Sequence, residues 1–138
     1  MNGSPIRTLA RLTRLLERGA GDLTLAQFRV LALIDEGGER ASQLADRLAV
    51  AKPTVTAVVD GLVERGYLRR TADENDKRAT RITLTADGWD ALDAAEAAMT
   101  ERFDAVLGHA HDPRAIRNVL VDLDRALDAA RQERLARR

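Results

Sequence analysis

With 138 residues, the chain can bury roughly two thirds of its unfolded surface in one domain, so a hydrophobic core needs no covalent staples. It contains no cysteine, which excludes disulfides, thiol redox sensing and cysteine-ligated metal. Its 22 basic and 22 acidic residues cancel, so no overall positive charge marks it as a partner of a polyanion, and how that charge is distributed matters more than its sum.

Residues 5–18 place Ile6, Leu9, Leu12, Leu15 and Leu16 on one side and Arg7, Arg11, Arg14 and Arg18 on the other, which predicts an amphipathic helix ended by Gly19 and Gly21. The arginines interrupt every apolar run, so neither a signal-peptide core nor a membrane span is expected, and the protein is expected in the cytoplasm. Thr24 then opens a second helix: Gln27, three residues on, completes a capping box, and Leu23 with Phe28 flanks it as a hydrophobic staple. The apolar face of this helix continues through Leu31 and Ile34 to a stop at Gly37 and Gly38.

From Ala41 onward, Leu44, Leu48, Val50, Val55 and Val58 fall where two short helices crossing near a right angle share a core, with small Ala45 at their closest approach. The first should run from about Ser42 to Leu48. The second should start near Pro53, whose missing N–H loses no bond in a first turn, and end at Gly66. Tyr67 to Arg70 and Thr80 to Leu84 alternate polar and apolar residues around a polar loop of Asp73, Glu74, Asn75 and Asp76, the pattern of a two-stranded hairpin. Thr85 caps a long helix reaching Leu107, striped by Leu92, Ala95, Met99, Phe103 and Leu107. Pro113 begins a last helix with Ile116, Val119, Leu120, Leu123, Leu127 and Ala130 at heptad-like spacing. The first, fifth and sixth helices carry more apolar surface than one chain can cover, so a second copy is the expected partner.

Charge is polarised along this order of elements. Between Ala51 and Arg81 seven basic residues face five acidic ones; from Ala86 to Asp128 ten acidic residues face four arginines. A mildly basic reading head and an acidic helical region would give this distribution.

The hairpin carries Asp76 and Arg78, then five residues, then Leu84 and Thr85, followed by Gly88 and Leu92. This wing pattern, with the helix order from about residue 5 to the C-terminus, resembles the multiple antibiotic resistance regulator (MarR) family of bacterial transcription factors. The resemblance implies a mainly α fold with a small β-hairpin wing: a single domain over 1–138, with a winged helix-turn-helix at 23–85 and dimerisation helices at 5–22 and 86–138. It implies a homodimeric regulator, a repressor, on a pseudo-palindromic stretch of double-stranded DNA, released by a small-molecule effector such as an aromatic or lipophilic anion. The peroxide-sensing form of that mechanism is excluded, because no cysteine exists to respond.

On the fourth helix Val55, Val58, Val59 and Leu62 should point inward, leaving Pro53, Thr54, Thr56, Ala57, Asp60 and Gly61 outside. Thr54, Thr56 and Ala57 lie in the first turns, the end that enters a major groove in helix-turn-helix readers. Solvated helix decoration is the plain alternative for the threonines, and Ala57 stands where many relatives carry a basic residue. Arg78 at the hairpin tip suits a narrow minor groove. Asp76 is expected to hold Arg78 or Arg65 in position and Lys77 to contact DNA, with an ordinary solvated turn as the alternative for both; Lys52, Arg69 and Arg70 are candidate phosphate contacts, against the alternative of uncommitted surface cations. Phe28 and Trp89 are candidates for an effector cleft; with aromatics at 3% of the chain, a regulator without any ligand is the alternative.

His109 and His111, two apart with no third ligand nearby, read as a helix end and a solvated loop, and no metal or cofactor is expected. No nucleophile-base pair, phosphate-cradling glycine loop or zincin motif supports an enzyme. Two other classes compete with the DNA-binding regulator: a winged helix serving as a protein-interaction scaffold, and a metal-dependent helical protein using the two histidines. Salt-dependent binding to duplex DNA separates the regulator from both.

Overall fold

The computed structural model describes residues 3–37, 40–76 and 78–138, with the backbone alone at Ala41. Lys77 and Gly38, both assigned roles above, lie outside the described residues. Along the chain come α1 (Pro5–Gly19), α2 (Leu25–Asp35), α3 (Ala41–Leu48), α4 (Lys52–Glu64), β1 (Leu68–Ala72), β2 (Thr80–Leu84), α5 (Ala86–Leu107) and α6 (Pro113–Ala136). The fold is mainly α with one antiparallel hairpin, paired from Leu68↔Leu84 to Ala72↔Thr80. The chain divides into two compact units, residues 1–103 and residues 104–138, and the boundary falls inside α5.

In the first unit, local chemistry sets the helix ends. The Thr24 hydroxyl accepts the Gln27 N–H at 3.1 Å, and the Gln27 side chain accepts the Thr24 N–H at 3.0 Å, so the expected capping box starts α2. α3 ends with Ala49 in the left-handed conformation, φ 54°, and the Val50 N–H closes the turn on the Ala45 carbonyl at 3.3 Å. That closure leaves Val50 42% exposed, so it is not part of the core shared by α3 and α4, contrary to expectation.

α4 carries Pro53 in its first turn and ends two residues before Gly66, whose φ of 78° reverses the chain. The Gly66 N–H bonds the Val63 carbonyl at 3.0 Å and the Tyr67 N–H reaches Leu62 at 2.9 Å, delivering Tyr67 directly into the hairpin. Leu31, Leu44, Val55, Val59, Leu62, Leu68 and Ile82 form the centre of the core, so α2, α3, α4 and the hairpin are fixed against one another. Arg40 adds an isolated bridge to Arg81, giving β2 a second backbone neighbour.

Thr85 starts α5 by accepting the Gly88 N–H at 3.0 Å while its hydroxyl donates to the Gly66 carbonyl at 2.5 Å. Its own N–H bonds the Tyr67 carbonyl at 3.1 Å. Gly88 lies so close to that carbonyl that a Cβ there would stand 2.0 Å from the oxygen. Gly19, which belongs to α1, is likewise buried against α5: a Cβ would meet Met99 Cα at 3.2 Å.

In the second unit, Asp112 caps α6 by accepting the Ala115 N–H at 3.0 Å, and Arg117 pairs with Asp104 at 2.7 Å. No α6 residue is buried; Leu120 is half-buried, and Ile116, Val119, Val121, Leu123, Leu127 and Leu135 are exposed, Leu127 to 70%.

Candidate nucleic-acid interface

Three buried side chains, Val55, Val59 and Leu62, fix the rotation of α4 about its own axis. Lys52, Pro53, Thr54, Thr56, Ala57 and Asp60 are then left exposed, as the apolar spacing predicts, while Val58 and Gly61 are both half-buried. The Thr56 hydroxyl donates to the Lys52 carbonyl one turn back at 3.0 Å. With its proton used inside the helix, Thr56 offers an incoming base only an acceptor oxygen and a methyl group. The acceptor suits the amino edge of adenine or cytosine, and the methyl group suits thymine.

Arg69 and Arg70 sit on β1 and are exposed. Arg70 forms an ion pair with Asp60 of α4, so a phosphate would have to compete with that carboxylate for its guanidinium.

Asp73 to Asp76, with Arg78 and Ala79, are the described residues of the hairpin tip. The Asp73 N–H bonds the Ala79 carbonyl at 3.1 Å, and the Ala79 N–H bonds the Asp76 carbonyl at 3.0 Å. Asp76 Oδ1 accepts the Arg78 N–H at 3.0 Å, a side-chain turn that folds the tip and leaves Arg78 exposed. Asp76 thus acts on the backbone of Arg78. Arg65 turns away from the wing: its guanidinium donates to the Asp22 carbonyl at 3.1 Å and to Gln27 Oε1 at 3.3 Å, and stacks 4.8 Å from the Tyr67 ring centre. It ties the end of α4 to the start of α2, and the expected partnership between Asp76 and Arg65 gives way to this one.

The carboxylate that does anchor the wing is Asp73, which the sequence shows only as one of four polar loop residues. It is 8% exposed, accepts the Asn75 N–H at 3.0 Å, and pairs with Arg40 at 2.7 Å. The Asn75 amide, the Arg40 guanidinium and the field of Arg81 hold its carboxyl below the usual aspartate value, against a burial penalty that pushes the other way. The spacing of Asp73 and Asn75 was legible as a turn. Arg40, 33 residues away, was not.

A cleft of about 240 Å³ opens beside Arg65's anchorage, lined by Ala20, Gly21, Asp22 and Leu23 of the α1–α2 turn, by Tyr67, and by Ala91, Ala94, Ala95 and Ala98 of α5. Phe28 packs half-buried on the core and Trp89 is 45% exposed; neither lines this cleft. His109 and His111 are exposed around the end of α5.

Residues 21–79 match the sequence model of the MarR family. The HTH-type transcriptional regulator PecS of Dickeya dadantii is 31% identical over 94 residues, covering 61% of this chain and 57% of that protein. The matched stretch spans under 60% of the length of each of the first curated relatives. The crystal structure of the M. tuberculosis transcriptional regulator MOSR in complex with DNA is 30% identical, with a TM-score of 0.65 over 91% of this chain and 94% of that one. A probable transcriptional regulator from Pseudomonas aeruginosa is 29% identical, with a TM-score of 0.70 over 86% of this chain and 92% of that one. With α4 presented beside a hairpin that carries Asp76, Arg78, Leu84 and Thr85, the chain belongs to the MarR family.

Proposed function

We propose that this protein is a transcription regulator, a repressor, that binds double-stranded DNA as a homodimer with α4 of each subunit in a major groove and its hairpin in the adjacent minor groove. The observation that carries this is the exposed first half of α4, where Pro53, Thr54, Thr56 and Ala57 project opposite the buried Val55 and Val59, on a core shared with the Arg78-bearing hairpin. The relative MOSR, solved with DNA, supports it. In this arrangement Thr54, Thr56 and Ala57 meet base edges, Lys52, Arg69 and Lys77 meet phosphates, and Arg78 enters the minor groove.

Dimerisation is supported by apolar side chains that the chain leaves in solvent: Ile6 and Leu9 on α1, and Val119, Leu123 and Leu127 on α6. Residues 5–22 and 86–138 would supply that contact and 23–85 the reading head. A small effector would act from the cleft beside Tyr67. Its 240 Å³ is below the usual range of pockets for drug-sized molecules, so the ligand would be correspondingly small. Filling it would bear on Asp22 and Tyr67, both partners of Arg65 at the end of α4, and would so disfavour the DNA-bound arrangement.

Selection of bound sequences from a random duplex pool tests this. The expected product is an inverted repeat with half-site centres about 10 bp apart. Enrichment of no sequence, or of a motif without two-fold symmetry, would refute the symmetric mode.

A further inference from the structure

Asp60 lies on the same exposed face of α4 as Thr56 and Ala57, one helical turn further along. A carboxylate there faces a duplex carrying one negative charge per roughly 1.7 Å of axis. Left alone it would repel phosphates or would have to accept a hydrogen bond from cytosine. In this structure it is taken up by Arg70 of β1, and the two side chains remain 57% and 37% exposed. Arg70 stands on β1 of the hairpin, and its guanidinium is held by Asp60 at the exposed face of α4.

We propose that Asp60 sets the strength of DNA binding by withholding Arg70 from the phosphate backbone. This rests on the DNA-binding role proposed above. The pair removes one anion and one cation from the surface proposed to meet the duplex, where Lys52, Arg69 and Arg78 are also exposed. Phosphate contacts carry no sequence information, so the restraint acts on all sequences alike and sets how much protein is held on DNA at large. Exposed ion pairs contribute little to folding, so this one can be removed without unfolding the chain.

The experiment is equilibrium binding of the full chain to a random-sequence duplex and to the pool-selected duplex over a range of salt. Asp60→Asn should bind both duplexes about fivefold tighter and steepen the slope of log K against log salt by about 0.9, the value for one added phosphate contact. Arg70→Gln strands Asp60 and should weaken both. Asp60→Asn combined with Arg70→Gln should return to the parent affinity. Asp128→Asn on α6, with the same change of net charge, should leave the slope unmoved.

Unchanged affinity and slope in Asp60→Asn would overturn the proposal. So would a loss confined to the selected duplex, which would make Asp60 a base reader. A double variant as weak as Arg70→Gln would show Arg70 already on phosphate, and an equal gain in Asp128→Asn would make net charge the cause. Failure of the parent chain to bind any duplex is a different result: it removes the DNA-binding role itself.

Discussion

Replacing Gly88 with alanine inserts a methyl group where α5 meets the start of β1. The new Cβ would stand 2.0 Å from the Tyr67 carbonyl oxygen, 3.0 Å from its carbon and 3.3 Å from Leu84 Cδ2. A carbon needs about 3.3 Å from a carbonyl oxygen, so the first turn of α5 must retreat by about 1.3 Å. That retreat strains the contacts that fasten this end of the helix: Thr85 N–H to Tyr67, Thr85 hydroxyl to Gly66, and Gly88 N–H to Thr85. Overpacking costs about 1–3 kcal/mol and a lost hydrogen bond about 1 kcal/mol, while alanine regains about 1 kcal/mol of helix propensity. A net loss of about 2 kcal/mol corresponds to a fall in Tm of about 6 °C for a chain of this size. The assay is a circular-dichroism melt with protein concentration held fixed, since association would otherwise shift the midpoint. An unchanged or raised Tm would refute the close approach.

Ala49→Gly relieves a left-handed alanine between α3 and α4, and should raise Tm by about 2 °C after the greater entropy of the unfolded glycine chain is offset. Asp73→Asn should destabilise the wing at neutral pH in urea titrations. Because the folded carboxyl titrates below its ordinary value of 3.8, the stability gap from the parent chain is full above that pH and closes as pH falls below it; a gap already closing near neutrality would contradict the Arg40 pairing. Arg78→Ala should lower affinity for the selected duplex about tenfold and leave Tm unchanged, as read by anisotropy titration. Thr56→Ala should relax preference at one position of each half-site by about 1 kcal/mol, and repeated pool selection should show that position degenerate.

The features legible in the sequence are those whose partners are close along the chain. Thr24 and Gln27 are three residues apart, so their spacing announces the capping box, and Thr85 at the head of an apolar stripe announces the next cap, which closes on Gly88. The buried face of α4 followed from the positions of Val55, Val59 and Leu62. The exposure of Val50 is not legible, because nothing in its neighbourhood signals a left-handed turn at Ala49, an alanine where glycine is usual. Long cations were the least legible. Arg65 lies within reach of several acceptors and takes Asp22 and Gln27, and Asp73 finds Arg40 across the fold, choices that only the packed chain decides.

Whether α4 and the hairpin together grip duplex DNA is tested most directly by equilibrium binding of the chain to the pool-selected duplex and to a scrambled duplex, from about 50 to 200 mM salt. The expected result is two chains per selected duplex, a preference over the scrambled one of about a thousandfold or more, and affinity for both that falls linearly on a logarithmic salt scale. Equal affinity for the two duplexes, or no binding at the lowest salt, would contradict it.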